Sequence, residues 1–420
     1  MQTDPSQLSL AAYKQGSYIL VEDKVDNPFF YIVKSGQVRV QTKSDLVTSD
    51  VVKEDSDSVL NPGDFFGVIS AMSGHPSIET VIALTDVVLI VVKRDQFGML
   101  IQKNGPIAMK IIRSFSRKLR YYDTALTRLS FSNSVEEDPM HLLSLGEYYF
   151  KQKSWVTAAY AYRKYLEYNP GSTHVMQARQ RLAQLAPFLK AQPQQPQQQA
   201  QGAGFARVYE EGDVIFLEHE IGNELYIIQE GGVKIKKVVA NNEITLAILQ
   251  KGDIFGEMAI LDDKPRSATA VAYGRAVLLA VNKTNFQGMV QQQPQLATKI
   301  ITLLSERIWT SYRQFANAVI DDPAGKIFDM LLTQVVKNHI PLDKGTAHTF
   351  DFGANELLGM IGLSPDQGKT VLKDFFANNK KFLLVNNKMH VVDLEELHKQ
   401  ANYYKNQWLR KRKMEESRGI

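Results

Sequence analysis

The sequence predicts an α+β multidomain chain. One antiparallel β-rich domain is present twice, a helical hairpin lies between the copies, and a helix–turn–helix with two short strands closes the chain. Two long self-matches and one change of periodicity predict this. KQGSYILVEDKVDNPFFYIVKSGQVRV (14–40) returns as EEGDVIFLEHEIGNELYIIQEGGVKI (210–235), and NPGDFFGVISAMSGHPSIETVIALTDVVLIVV (61–92) returns as QKGDIFGEMAILDDKPRSATAVAYGRAVLLAV (250–281). Between the copies, alternation of period two gives way to helical spacing.

The first copy with its long helix is expected over 1–132, and the second over 205–320. In both, a Gly turn precedes an alternating run, a polar turn follows, and a second run is broken by Gly, which reads as antiparallel strands. The closing helices carry seams at Ile112, Phe115, Leu119, Tyr122, Leu126 and Leu129, and at Ile301, Leu304, Ile308, Ser311, Phe315 and Ala318. Steps alternating between three and four mark helices that pack on another helix. A homodimer through 296–320 is expected, with intrachain pairing of 108–130 and 296–320 as its rival.

The insert, 137–188, contains LLSLGEYYFKQKSWVTAAYAYRKYLEYNP (142–170). Its Leu145-Gly146, Tyr149, Ala158, Tyr162 and Pro170 fit the offsets of a tetratricopeptide hairpin, with Leu142 at the usual Trp position and Tyr165 at a small one. One such repeat cannot bury both faces alone, so it must lean on a neighbour, and it is a candidate site for a protein partner. A helix at about 173–187 would cap it, and 189–204 reads as a Pro/Gln linker. The last region, 321–420, ends in FGANELLGMIGLSPDQGKTVLKDFFANNKKFLLVNNKMHVVD (352–393) and a basic tail containing WLRKRK (408–413).

Composition narrows the function. The chain has 420 residues, a net charge of +4 and no cysteine, which excludes disulfides, Cys-ligated zinc, iron–sulfur clusters and thiol catalysis. The eight His residues show no paired ligand spacing, and no nucleophile–base pair or P-loop stands out, so neither a metal cofactor nor an enzyme is expected. The N-terminus does not resemble a signal peptide and no apolar run is long enough to span a bilayer, so a cytoplasmic protein without membrane contact is expected.

The stretch GDIFGEMAILDDKPRSATA (252–270) holds the densest chemistry. Gly256 lets backbone approach a ligand, and a short helix from Glu257 would offer the N–H groups of Met258 and Ala259 to an anion. Arg266 supplies a fork suited to phosphate oxygens, while Glu257 suits a sugar hydroxyl. Acid and arginine together fit a ligand with both phosphate and ribose, and a carboxylate beside an arginine is poorly suited to a metal ion.

FGEMAILDDKPRSATA resembles the phosphate-binding cassette of cyclic-nucleotide-binding domains, which implies β-roll folds for both copies. The resemblance implies that Glu257 holds the ribose, that Arg266 and Ser267 hold the cyclic phosphate, and that Gly256, Met258 and Ala259 complete the nest. The order of β-domain, long helix and DDPAGKIFDMLL (321–332) is similar to the catabolite activator protein family of bacterial transcription regulators, which implies a winged helix-turn-helix. Alignment on Asp322, Gly325 and Lys326 places Ser311, next to Thr310, where that family contacts the purine across its dimer.

The first copy departs from the pattern, with Val68 at the acid position, Ser77 at the arginine position and Glu79 close by, so it is expected not to bind nucleotide. The turn Gly362-Leu363-Ser364 and the helix beginning Pro365-Asp366-Gln367-Gly368-Lys369 lack an arginine to read guanine. Gln367 is the candidate base reader and Ser364 a further candidate DNA contact, with Lys369, Lys373, Lys380 and Lys381 for phosphates and Gly368 a weak point of the helix. The leading expectation is a cyclic-nucleotide-responsive regulator that binds duplex DNA, with cAMP as ligand and a cyclic dinucleotide as the rival. The alternative is a cyclic-nucleotide sensor acting through protein contacts. A kinase regulatory subunit is disfavoured, since no basic-basic-x-Ser segment precedes the domains.

Overall fold

A computed structural model of the chain describes residues 8–24, 28–42, 59–131, 140–189, 206–239, 242–261, 263–363 and 365–417. The first copy contains β1 (Ser9–Tyr13), β2 (Tyr18–Leu20), β3 (Phe29–Ser35), β4 (Val38–Gln41), β5 (Val59–Leu60), β6 (Phe65–Phe66), α1 (Val68–Ser73), β7 (Thr80–Ala83), β8 (Val87–Lys93), α2 (Phe97–Lys103) and α3 (Gly105–Phe131). The insert is α4 (His141–Lys151), α5 (Trp155–Tyr168) and α6 (Val175–Leu189). The second copy runs through β9 (Ala206–Tyr209), β10 (Val214–Phe216), β11 (Glu224–Val239), β12 (Asn242–Gln250), β13 (Ile254–Phe255), α7 (Glu257–Leu261), β14 (Thr269–Asn282), α8 (Lys283–Gln292) and α9 (Pro294–Ala318). Then come α10 (Pro323–Lys337), β15 (His348–Thr349), α11 (Ala354–Met360), α12 (Pro365–Asn378), β16 (Phe382–Val385), β17 (Lys388–Val391) and α13 (Leu394–Ser417).

These elements form two compact units that cut across the expected domain boundaries. The first joins Met1–Phe97, Tyr121–Ser132 and Leu304–Ile420, and the second joins Gly98–Arg120 and Asn133–Leu303. The long helices α3 and α9 therefore each have one end in either unit. The linker expected at 189–204 lies outside the described residues from 190 onward.

In the first unit, two four-stranded antiparallel sheets, β1-β8-β3-β6 and β2-β7-β4-β5, close over Leu20, Val33, Val38, Phe66, Val81 and Leu89. The ends of α3 and α9 meet here, with the Tyr122 ring 5.6 Å from Tyr312 and 6.0 Å from Phe315. In the second unit, the preceding α2 comes close to α9, where a Cβ on Gly98 would sit 3.9 Å from Thr298 Oγ1. Of the predicted seam, Ile112, Phe115, Leu119, Tyr122, Ile301, Leu304, Ile308 and Phe315 are buried in the single chain. The two helices meet within one chain, as the intrachain alternative expects, and these seam positions are filled there. Ser311 and Ala318 are only half-buried, and Trp309 and Tyr312 take the buried positions on α9.

The C-terminal region packs on the first copy within the same unit. Arg313 of α9 is buried and reaches Asp329 at 2.7 Å, Thr333 at 3.1 Å and Asp23 of the first copy at 3.4 Å. Lys405 of α13 reaches Asp23 at 2.8 Å. The His75 ring stacks between Trp309 at 4.2 Å and His339 at 4.8 Å. Asp322 caps α10 by accepting the N–H groups of Ala324 and Gly325, and Pro323 takes the first helical position. The basic stretch expected as a solvated tail is instead part of α13, with Trp408 buried and Lys411 paired to Asp321 at 2.9 Å.

Between α11 and α12 the chain turns at Gly362, whose φ of 76° suits glycine. Strands β16 and β17 are joined through Asn386-Asn387, both at positive φ, which fits a two-residue hairpin turn. Gly368 is no defect of α12, because a Cβ there would lie 2.3 Å from Leu358, which is itself buried. The glycine lets the two helices touch. Gly368→Ala is therefore expected to destabilise this region by about 1–3 kcal/mol, through overpacking, in urea unfolding followed by Trp fluorescence.

In the second unit, a sheet of order β10-β14-β11-β12, with β13 on β11 and β9 on β14, encloses Phe216, Tyr226, Val233, Phe255 and Leu278. The hairpin touches where the sequence predicts: a Cβ on Gly146 would lie 2.6 Å from the Tyr162 ring. It leans on the second copy, sharing a core with Leu217, while the Tyr160 hydroxyl donates to Glu220 at 3.1 Å and Lys164 pairs with it at 3.4 Å.

Candidate functional site

The second-copy cassette is built on a tight turn. Gly252 N–H donates to Ile228 carbonyl at 2.8 Å, and Ile228 N–H donates to Asp253 carbonyl at 3.0 Å. Strand β13 pairs with β11, Gly256 turns the chain at φ 75°, and α7 begins at Glu257. Glu257 is 2% exposed, and Met258 and Ala259 are also buried.

Arg266 is 5% exposed. Its Nη1 donates to the Gly256 carbonyl and its Nη2 to the Glu224 carbonyl, both at 2.6 Å, and its Cζ lies 4.1 Å from the Phe216 ring centroid. Its Nε–H is buried and makes no hydrogen bond among the described residues. Burial pulls its pKa below the ordinary guanidinium value, although Tyr226, Glu220, Glu257 and Glu224 act to raise it. The site requires two glycines: a Cβ on Gly222 would lie 2.4 Å from the guanidinium, and one on Gly256 would lie 2.6 Å from Nη1. Gly222 is a site residue that spacing alone does not reveal. Ser267 donates to Met258 Sδ at 3.7 Å, a weak acceptor.

The sequence-predicted Gly256, Glu257, Met258, Ala259, Arg266 and Ser267 thus come together. Thr310 and Ser311 do not join them in the second unit. The stretch of α9 that carries them packs on the first copy, where Trp309 Nε1 donates to the Pro76 carbonyl at 3.2 Å and Tyr312 donates to Glu22 at 2.5 Å. This stretch therefore lies over the copy that lacks the acid and the arginine.

In the first copy the same frame is closed by a carboxylate. Glu79 accepts the Gly67 N–H at 3.0 Å, the main-chain donor equivalent to that of Gly256, and Ser77 Oγ donates to the Glu79 carbonyl at 2.8 Å. Glu79 stands where the second copy has Ala268. An anionic ligand would meet a buried carboxylate in place of a guanidinium.

Among the DNA-directed candidates, Lys369 and Lys373 are exposed one turn apart on α12. Gln367 lies in the first turn of that helix, and Ser364 lies outside the described residues. Lys381 is engaged with Asp393 at 3.1 Å.

One cluster escaped sequence reading because its members come from different modules. His141 of α4, Glu218 and His219 bring potential ligand atoms within 4.8 Å of one another. The imidazoles stack at 3.9 Å, and Lys237 Nζ lies 3.3 Å from Glu218 Oε1, so the carboxylate already has a cation. This favours a buried ion pair that docks the hairpin over a metal site. Burial, then His141, depresses the His219 pKa from 6.5 to about 4. Burial would raise that of Glu218, but His141 and Lys237 hold it below 4.5. Both groups bind protons more readily in the unfolded chain, so stability present at pH 7 is lost as pH falls through 6.5 towards 4. The second unit is expected to melt at lower temperature at pH 5 than at pH 7, with about 2 kcal/mol of stability lost through His219 over that interval, and His219→Gly should flatten the difference in calorimetric scans.

Comparison with known proteins agrees with this geometry. The model of the cyclic nucleotide-binding domain matches residues 10–104 and again 206–293. A Cyclic AMP receptor protein of Thermus thermophilus is 28% identical over 167 residues, covering 40% of this chain and 74% of that protein. A CRP-like cAMP-activated global transcriptional regulator of Mycobacterium tuberculosis is 26% identical over 192 residues, covering 45% of this chain and 85% of the regulator. A cAMP-dependent protein kinase regulatory subunit of Candida albicans is 24% identical over 285 residues, covering 67% of this chain and 45% of that subunit. The chain thus carries the cyclic nucleotide-binding domain twice, and part of it is similar to cAMP-responsive transcription regulators.

Proposed function

We propose that the second copy binds a 3′,5′-cyclic purine nucleotide, cAMP in the first place, and that the bound nucleotide controls contact between the C-terminal region and duplex DNA. The observation that carries the ligand reading is the Arg266 guanidinium, buried beside Glu257 with its Nε–H unpaired. A cyclic phosphate supplies both the acceptor and the negative charge that this group lacks, and Glu257 is placed to accept from a ribose hydroxyl. The first copy binds no nucleotide in this reading, because Val68, Ser77 and Glu79 replace the donor set. The chain acts as a regulator and not as an enzyme, inside the cytoplasm and without membrane contact.

The DNA reading treats α11, the turn at Gly362, α12 and the β16–β17 hairpin as a winged helix-turn-helix. Gln367 is its base reader, and Lys369 and Lys373 meet phosphates. A second reading, a sensor acting through protein contacts at the tetratricopeptide-like hairpin or the wing, has its own support. Leu383, Leu384 and Val385 of β16 are each more than 40% exposed, an apolar strand where a DNA-binding wing would be polar.

Calorimetric titration of the full chain with cAMP tests the ligand reading. Arg266→Ala is expected to weaken binding at least about tenfold, and equal affinity in that variant overturns the assignment. Fluorescence anisotropy on genomic duplex fragments, with and without cAMP, tests the output. Lys369→Ala with Lys373→Ala is expected to weaken all sequences alike and to reduce the salt slope by about 2. If no fragment binds more tightly than random duplex in either condition, the protein-contact reading replaces the DNA one.

A further inference from the structure

The two copies are tied to the long helices by the same bond, made once in each direction. One offset along the sequence relates Gly67 to Gly256, Pro76 to Pro265, Ser77 to Arg266 and, on the helices, Arg120 to Trp309. In the first unit, Trp309 Nε1 of α9 donates to the Pro76 carbonyl at 3.2 Å. In the second unit, Arg120 Nη1 of α3 donates to the Pro265 carbonyl at 3.0 Å. Each helix thus reaches the cassette of the copy it does not belong to.

The peptide unit involved is the one that leads into the phosphate-directed side chain. The Pro265 carbonyl and the Arg266 N–H belong to a single planar group. On one side, Arg120 holds the carbonyl. On the other, the Arg266 N–H donates to the Glu220 carbonyl at 2.9 Å, and the Arg266 carbonyl accepts from His219 N–H at 2.9 Å. The equivalent peptide of the first copy is held identically, with Ser77 N–H on the Lys24 carbonyl at 3.0 Å and Trp309 on Pro76. The frame is therefore symmetric and the side chains are not. The first copy keeps a helix that serves the second copy's site although its own cassette has lost the acid and the arginine.

We infer that Arg120 is a positioning residue of the second copy's nucleotide site, and that the first copy acts as the in-cis partner that completes this site within one chain. The inference rests on the reading that the second copy binds a cyclic nucleotide. It assigns one nucleotide to each chain and makes α3 the element that feels a shift of the Pro265–Arg266 peptide. A guanidinium also adds positive charge beside the turn that receives the phosphate, which an indole at that place could not do.

The test uses the full chain, cAMP as probe, and four variants: Arg120→Ala, Arg120→Lys, Trp309→Phe and Arg266→Ala. Arg120→Ala is expected to weaken cAMP binding about tenfold while the ligand-free melting temperature stays at the wild-type value. Arg120→Lys, which keeps a cationic donor, should recover most of that loss. Trp309→Phe removes the equivalent bond on the first copy and is expected to lower the melting temperature while leaving cAMP affinity unchanged. Hydrogen exchange read by mass spectrometry on the peptide spanning 263–268, without ligand, should accelerate severalfold in Arg120→Ala. Wild-type affinity in Arg120→Ala, with binding lost in Arg266→Ala, overturns the positioning role and leaves the ligand reading intact. Absence of cAMP binding in the wild-type chain overturns the ligand reading, and unchanged exchange at 263–268 then overturns the role of Arg120 as well.

Discussion

The burial of one cation, Arg266, organises the second copy. A guanidinium at 5% exposure is costly unless its charge and its donors are compensated. The fold answers with two main-chain carbonyls, an aromatic face on Phe216 and two glycines that leave room for the side chain. The compensation is incomplete: among the described residues Nε has no acceptor, and burial still depresses the group's pKa. A site that spends its packing on an under-compensated cation is prepared for an anion.

The first copy shows what happens when that cation is removed. Ser77 replaces the arginine and Glu79 turns a carboxylate onto the Gly67 N–H, so the nest is satisfied from within. The frame survives regardless. Thr80 Oγ1 accepts the Glu22 N–H at 3.1 Å, just as Thr269 Oγ1 accepts the Glu218 N–H at 3.1 Å. Other parts of the chain use this frame in the first copy. Asp23 receives Arg313 and Lys405, His75 stacks on Trp309 and His339, and α3 leaves the copy to serve the second cassette.

What the sequence made legible was local. The repeated blocks gave both β-rolls, the Gly146–Tyr162 spacing gave the hairpin, and FGE with PRSA gave the cassette, because each signal is complete within a short window. What it hid was pairing at a distance. The seam spacing on α3 and α9 shows that each helix needs a partner and does not show which one; within the chain, Tyr122 of α3 meets Tyr312 and Phe315 of α9. Gly368 looked like a weakness because its neighbour, Leu358, lies on a different helix. The His141–Glu218–His219 cluster joins a hairpin to a β-turn and has no spacing signature at all. His219 does carry one local clue, a non-glycine residue held at φ 64°.

On the function proposed above, the long helices are the route by which a bound nucleotide would reach the C-terminal region. α3 and α9 are the helices with an end in each compact unit. At its far end α9 is clamped: Arg313 ties it to Asp23 of the first copy and to Asp329 and Thr333 of α10, and Asn317 donates to the Lys326 carbonyl at 2.8 Å. A rotation of α9 must therefore carry α10 with it or break a buried ion pair, and the second course is strongly unfavourable. α10 in turn shares one core with α11, α12 and the β16–β17 hairpin through Phe328, Leu358, Phe375 and Phe382. The C-terminal region is thus coupled to helix motion as a body. The size of the response is set by how unequally the nucleotide binds the two helix arrangements, and a ligand that binds both alike leaves α12 where it is, however tightly it is held.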